Sequence, residues 1–319
     1  MDVTIKVRRF DPEVEDPAPY WQDFTVALQD SATVLDALIK IREEVDGTLS
    51  LRCSCRSSIC GSCAMRINGH ACLACKTQVR QAIGPDNSIT VEPAGVMPVI
   101  KDLVVDFDMF WDKIMAVEPY LQPEGPEPEA EYIASNESML HLSGVTACIM
   151  CGACVSDCTV MEVDPTFLGP AALAKAYRFT ADPRDGKSKE RLRMLNEPTG
   201  MWDCTRCLEC VQVCPKGVAP MDRIMALRDQ AISAGFDKTY GARHAEAFAD
   251  LVEHSGWLDE LRIVPKTVGV ANVPALLHLA PEALRALTHG KLPPIIHKKI
   301  EDVQGFRKVF KNADEAPKE

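Results

Sequence analysis

The sequence has 319 residues, 46% of them hydrophobic and 25% charged, and a formal net charge of −11. That length supports two domains, each with its own core, and the acidic balance argues against a general nucleic-acid role. Its 14 cysteines fall only within 53–75, 148–158 and 204–214, which excludes the usual secreted disulfide framework, where bridges join distant elements. The N-terminus, Met1-Asp2-Val3-Thr4-Ile5, shows no basic n-region, apolar h-region or Arg-rich transit character. The cysteines are therefore expected in a reducing compartment, as thiolates on metal. No run of about 18 uncharged apolar residues occurs, so no membrane span is expected.

Taken in chain order, residues 3–8 and 23–28 alternate and predict two strands, joined by the Pro-rich stretch 12–19. A helix follows. Ser31 or Thr33 can cap it, Val34, Leu35, Leu38, Ile39 and Ile41 form its apolar face, and Gly47 ends it. The cysteine-rich segment reads as irregular apart from a strand at 64–67, and residues 88–92 form another strand. This order predicts a small β-grasp sheet. From residue 99 the pattern reads as helical, Val99 to Val105 leading into Phe107, Phe110, Trp111 and Ile114. The Pro- and Glu-rich stretch 119–131 reads as an exposed connector. Residues 132–235 read as short helices around the other two cysteine groups. Residues 236–319 read as helices broken by Pro265, Pro274, Pro281 and Pro293-Pro294.

The cysteine spacings carry the chemistry. Cys55-x4-Cys60-x2-Cys63-x11-Cys75 is the plant-type pattern for a 2Fe–2S cluster. Gly61 suits a backbone that must approach such a cluster closely. A zinc site is the alternative, but the x4 gap fits its paired ligands poorly. Cys148-x2-Cys151-x2-Cys154-x3-Cys158 and Cys204-x2-Cys207-x2-Cys210-x3-Cys214-Pro215 are two copies of the bacterial ferredoxin run. In that run the fourth cysteine serves the other cluster. The predicted sets are thus Cys148, Cys151, Cys154 and Cys214 for a 4Fe–4S cluster, and Cys158, Cys204, Cys207 and Cys210 for a third cluster. Cys53 and Cys72 remain. They read as small apolar residues beside the first cluster, with alternative ligation by one of them left open. The seven histidines, His297 among them, are scattered singly, and no acid–base or nucleophile constellation emerges.

With these motifs in this order the chain resembles the iron–sulfur subunit of succinate dehydrogenase and fumarate reductase. The segments Cys60-Gly61-Ser62-Cys63-Ala64-Met65, Val99-Ile100-Lys101-Asp102-Leu103-Val104, Leu168-Gly169-Pro170-Ala171, Ala176-Tyr177-Arg178-Phe179 and Cys214-Pro215-Lys216-Gly217 also resemble that family, over roughly residues 1–235. The resemblance implies an α+β chain. A plant-type, β-grasp ferredoxin domain (1–100) is followed by a connector (101–131), an all-α bacterial-ferredoxin-like domain (132–235) and a helical C-terminal extension (236–319). It further implies an electron relay from an FAD-containing flavoprotein subunit through three clusters to a membrane anchor, with quinone nearby. The chain would sit peripherally on the cytoplasmic face of a prokaryotic membrane and carry no dicarboxylate site of its own.

Three departures qualify this. Ser57-Ser58 replaces the family's Glu-Gly, so hydrogen bonding to the sulfurs differs. Cys207 stands where most members have an aliphatic residue and a 3Fe–4S cluster, which favours 4Fe–4S here and leaves 3Fe–4S as the alternative. Thr159-Val160 and Thr205 replace residues usually associated with quinone, so that site does not carry over. A free ferredoxin, or a subunit of a related fumarate or heterodisulfide-type reductase, remains the competing reading. In the extension, residues 267–280 contain no Asp, Glu, Lys or Arg, and basic residues dominate 285–311. A buried or interfacial place is expected for the former.

Overall fold

The computed structural model describes residues 1–291, 293–294 and 298–315; His297 lies outside them. The chain divides into two compact units, Met1–Leu227 and Arg228–Glu319. Among the described residues no helix is long and apolar enough to cross a membrane.

In the first unit, alternation along β1 (Asp2–Arg9) turns Val3, Ile5 and Val7 to one face, where all three are fully buried. β2 (Tyr20–Ala27) pairs antiparallel to it, setting Ile5 opposite Phe24 and Val3 opposite Val26. Helix α1 (Val34–Lys40) starts from Thr33 and not Ser31. Thr33 Oγ1 accepts from the Asp36 N–H at 3.2 Å, and Asp36 Oδ2 accepts from the Thr33 N–H at 2.9 Å, a reciprocal capping box. Val34, Leu35 and Leu38 pack on the sheet. The last turn of the helix widens into a π-helical turn over Ile41–Val45, capped at Asp46 directly before Gly47.

β3 (Ala64–Ile67), β4 (His70–Leu73), the single turn α2 (Val79–Ala82) and β5 (Ser88–Glu92) complete the sheet. Its order is β2-β1-β5-β3-β4, with β1 and β5 parallel and the other pairs antiparallel. This is the β-grasp arrangement. β4 and α2 lie in the segment read as irregular. The overlooked signal is Asn68-Gly69, both at positive φ (51° and 82°), a dipeptide that closes tight hairpins.

Residues 99–105 are extended, not helical. β6 (Val99–Lys101) and β7 (Val104–Val105) form a hairpin whose turn holds Asp102 at φ 49°. The β-branched run there favours strands, and α3 (Asp108–Ala116) begins only afterwards. The buried Asp102 carboxylate accepts from Arg9 Nε at 2.9 Å, the Phe10 N–H at 3.1 Å and the Ser50 N–H at 2.8 Å. Arg9 also donates to Asp46, Gln22 and Thr48. The Thr48 hydroxyl first, then Arg9, holds the Asp46 carboxyl down at about 2. Ser50 leads directly into the first cysteine loop, so this network fixes the root of that loop to β1.

The helices that follow are α4 (Asn136–Thr146), α5 (Ala153–Ser156), α6 (Thr159–Val163), α7 (Gly169–Thr180), α8 (Ser188–Leu195), α9 (Glu209–Gln212) and α10 (Pro220–Ser233). α7 is central. Ala171, Ala172, Ala174 and Ala176 are buried along it, and such small side chains let α3, α4, α5 and α8 approach. Arg191 of α8 is buried and donates to the carbonyls of Val117, Glu118 and Tyr120 and to Asp185. The start of the connector is therefore clamped, while its remainder is mostly exposed.

In the second unit, α11 (Tyr240–Ser255) and α12 (Glu260–Val268) pair through Ala247, Leu251 and Ile263. α15 (Val303–Glu315) packs on α11. Between them lie α13 (Val273–His278) and α14 (Ala280–Thr288). The prolines act differently from the expectation. Pro265 sits inside α12, and Pro274 and Pro281 occupy first turns, where no amide donor is needed.

Replacing Arg9 with Ala strands a buried carboxylate at Asp102. Denaturant unfolding of the variant should show a loss of about 3–5 kcal/mol, against less than half that for the exposed pair partner Lys6 replaced by Ala.

Candidate metal centres

The first cysteine loop curls through three left-handed residues, Arg56 (φ 54°), Ser58 (φ 56°) and Gly61 (φ 75°). The reversals turn amides towards sulfur. The N–H groups of Ser57, Ile59 and Cys60 each point at Cys55 Sγ at 3.3 Å. The Ser58 N–H points at Cys75 Sγ at 3.4 Å, and the Cys55 N–H at Cys60 Sγ at 3.5 Å. Ser62 Oγ donates to Cys60 Sγ at 3.3 Å. That hydroxyl, with the amides, pulls the Cys60 thiol down to about 6, while burial pushes Cys63 up to about 12. Ile59 and Cys60 are exposed. Cys53 and Cys72 pack half-buried against the sheet core, and Thr77 Oγ1 donates to Cys72 Sγ at 3.3 Å.

The second and third loops repeat one backbone device. Left-handed residues stand two and four places after the first cysteine, Met150 (φ 56°) and Gly152 (φ 77°) in one, Arg206 (φ 59°) and Leu208 (φ 70°) in the other. Each loop then enters a single helical turn, α5 or α9. Gly152 and Leu208 differ for a packing reason. A Cβ at Gly152 would stand 3.1 Å from the Phe107 ring, whereas Leu208 projects to solvent. Two apolar hollows result. Cys148, Cys151, Cys154 and Cys214 line one, walled by Phe110 and Ala174. Cys158, Cys204, Cys207 and Cys210 line the other, walled by Phe167 and Ile224. Burial raises the thiols of Cys151, Cys154, Cys158 and Cys210, the last to about 12. The Val218 N–H points at Cys214 Sγ at 3.3 Å, and Thr159 Oγ1 donates to Cys207 Sγ at 3.5 Å.

The donor sets fit iron–sulfur centres. Each holds four cysteine sulfurs, and amides or hydroxyls aimed at sulfur are what anionic thiolates require. Among the described residues no three His, Cys, Asp or Glu side chains converge as a single ion requires. Sulfurs spread around a hollow suit a polynuclear cluster better than tetrahedral zinc.

The first two loops meet without an intervening side chain. A Cβ on Gly61 would lie 2.7 Å from Cys151 Cβ and 3.0 Å from Cys151 Cα. Beside this contact Arg52 lies over the Phe107 ring. A polar brace holds the same junction. Asp157 is buried and accepts from Arg66 Nε at 2.8 Å, the Ala71 N–H at 2.7 Å and Ser156 Oγ at 2.8 Å. Ser156 Oγ in turn accepts from the Gly95 N–H. Asp157 escaped the sequence reading; the signal was a lone carboxylate immediately before a cysteine in an otherwise apolar run.

Residues 4–112 match the 2Fe-2S iron-sulfur cluster binding domain family, and residues 144–218 the 4Fe-4S dicluster domain family. The fumarate reductase iron-sulfur subunit of Mycobacterium tuberculosis (strain CDC 1551 / Oshkosh) is 40% identical over 239 residues, 74% of this chain and 95% of that protein. The chain belongs to the iron–sulfur subunit family of succinate dehydrogenase and fumarate reductase. The succinate dehydrogenase iron-sulfur subunit of Coxiella burnetii is 38% identical over 233 residues, covering 72% of this chain and 97% of that one. A chain of the Mycobacterium smegmatis Sdh1 complex in the apo form superposes with a TM-score of 0.68 at 26% identity, covering 74% of this chain and 98% of that one. The present iron–sulfur subunit is thus an electron-transfer component with 2Fe–2S and 4Fe–4S domains.

Gly61 combines a left-handed backbone with a Cβ position already filled by Cys151. Gly61→Ala pays the left-handed penalty of roughly 1–2 kcal/mol and must also push Cys151 away. The expected outcome is a loss of at least about 2 kcal/mol in unfolding and a weaker magnetic interaction between the two neighbouring centres in the EPR spectrum of the fully reduced protein.

Proposed function

We propose that Cys55, Cys60, Cys63 and Cys75 hold the 2Fe–2S cluster. In the same reading Cys148, Cys151, Cys154 and Cys214 hold a 4Fe–4S cluster, and Cys158, Cys204, Cys207 and Cys210 hold a second cubane. The chain relays electrons between an FAD-containing flavoprotein subunit and a membrane anchor. Supporting this is the series of three cysteine-lined sites, exposed at Ile59 and Cys60 at one end, closed at the Gly61–Cys151 contact, and exposed again at Thr159 and Cys207.

When bound, such clusters accept and release one electron each. The chain's residues do the rest. Backbone amides and the Ser62 hydroxyl stabilise charge on the first sulfur set, and the alanines of α7 and Phe110 keep water from the second. The exposed loop around Ile59 is the docking surface for the flavoprotein, and the Thr159–Cys207 face turns to the anchor. Any quinone-binding groups come from the anchor, since Thr159, Val160 and Thr205 stand where the family's own would be. The complex lies on the cytoplasmic side of a prokaryotic membrane.

Cys207 supports a cubane as the third cluster. A cubane needs four protein thiolates, and Cys207 supplies the one an aliphatic residue cannot. The Thr159 hydroxyl, 3.5 Å away, offsets the added negative charge by donating to the sulfur.

EPR tests both assignments. Cys60→Ala should abolish the reduced 2Fe–2S signal, and an unchanged signal would refute that ligand set. The oxidised wild-type protein, with full iron content, should lack a 3Fe–4S signal, and Cys207→Ala should bring one up. A stoichiometric 3Fe–4S signal in undamaged wild type would overturn the cubane. Purification of the complex should return a flavoprotein and a membrane anchor with the chain; a chain isolated without a flavoprotein partner would favour a free ferredoxin.

A further inference from the structure

The second unit leaves an apolar surface uncovered. Neither α13 nor α14 has a buried residue. Val270, Val273, Leu277, Leu284 and Leu287 are each more than half exposed. The α14 sequence makes this a face and not a scatter. Ala280, Ala283, Leu284 and Leu287 fall on one side of the helix, and Glu282 and Arg285 on the other.

The chain that follows this face carries charge in a biased way. In a chain of net −11, residues 285–311 carry seven lysines and arginines against Glu301 and Asp302. Arg285, Lys291, Lys298, Lys299, Lys308 and Lys311 are exposed. The seventh, Arg307, is held, donating to the carbonyls of Glu253 and His254 at the end of α11. The Ile300 N–H donates to the Ser255 carbonyl at 3.0 Å, and a Cβ on Gly256 would meet Ile300 at 2.5 Å. The basic segment is thus fastened to the C-terminal end of α11.

We propose that this surface binds the membrane directly, with Leu284 and Leu287 in the interfacial layer of an anionic bilayer and the lysines among its head groups. An exposed leucine pair on a short amphipathic helix, followed in sequence by an exposed lysine-rich segment in an otherwise acidic chain, matches interfacial binding in both its apolar and its electrostatic parts. A partner protein of ordinary composition would explain the leucines but not the separated positive charge. The anionic lipid surface accounts for both. The proposal does not depend on the cluster ligands, which EPR reports separately.

Sedimentation of the purified full chain, clusters in place, with lipid vesicles tests it. Vesicles containing phosphatidylglycerol should bind the chain, and pure phosphatidylcholine vesicles should bind it at least about tenfold more weakly. Leu284→Glu with Leu287→Glu should weaken binding by at least about tenfold, since each buried leucine contributes roughly that factor or more. Lys298→Glu with Lys299→Glu should weaken it at low salt and much less at high salt. Unchanged cluster EPR and far-UV circular dichroism in both variants keep misfolding apart from lost binding. Wild-type chain that ignores phosphatidylglycerol vesicles, or leucine variants that bind as wild type does, would overturn the proposal. If the chain ignores vesicles yet the leucine variants fail to assemble with the membrane-embedded partner, the surface is a protein contact and the lipid assignment is wrong.

Discussion

Everything in the first unit depends on how closely two cysteine loops can approach. Gly61 has no side chain, its φ of 75° suits few other residues, and the space a Cβ would take already belongs to Cys151. The fold is arranged to enforce that approach. The Arg9–Asp102–Ser50 network fixes the root of the first loop to the sheet. The Arg66–Asp157 brace fixes the sheet edge to α5, at whose start the second loop ends. Each brace uses one buried carboxylate accepting several donors. Such a group is costly when left alone and orienting when satisfied. The β-grasp sheet and the helical region are therefore packed as one unit, not two beads on a linker. The long Pro/Glu stretch connects helices within that unit without separating its two iron–sulfur regions.

The sequence revealed the chemistry more fully than the geometry. Cysteine spacing is a local property: a short loop around a small cluster leaves few solutions, so ligand sets can be argued residue by residue. Strands β1 and β5 were equally legible, because Val3, Ile5, Val7 and Ile89, Val91 alternate cleanly with polar residues. Residues 99–105 misled because an apolar run without clear period reads as helix or strand alike, and only the left-handed turn at Asp102 settles it. That turn is held by Arg9, more than ninety positions away, which no local pattern encodes. Asp157 and the Gly61–Cys151 contact were hidden for the same reason. Both are tertiary, and each joins residues whose neighbours in sequence give no hint of the partner.

The first and third cysteine sets differ from the second in the hydroxyls that meet their sulfurs. At the first site Ser62 donates to Cys60, and at the third Thr159 donates to Cys207; both cysteines are exposed. The middle set has no such hydroxyl among its described bonds. Its walls are apolar, and burial pushes Cys151 and Cys154 up, as it does Cys63 at the first site and Cys158 and Cys210 at the third. A reduced centre carries more negative charge than an oxidised one, and water, hydroxyls and amides stabilise that charge while an apolar enclosure does not. Close approach through Gly61 shortens the path between the first two cysteine loops. The means available to a folded chain for fast transfer between neighbouring sites is to shorten the distance and hold it. The glycine and the two carboxylate braces thus serve one requirement.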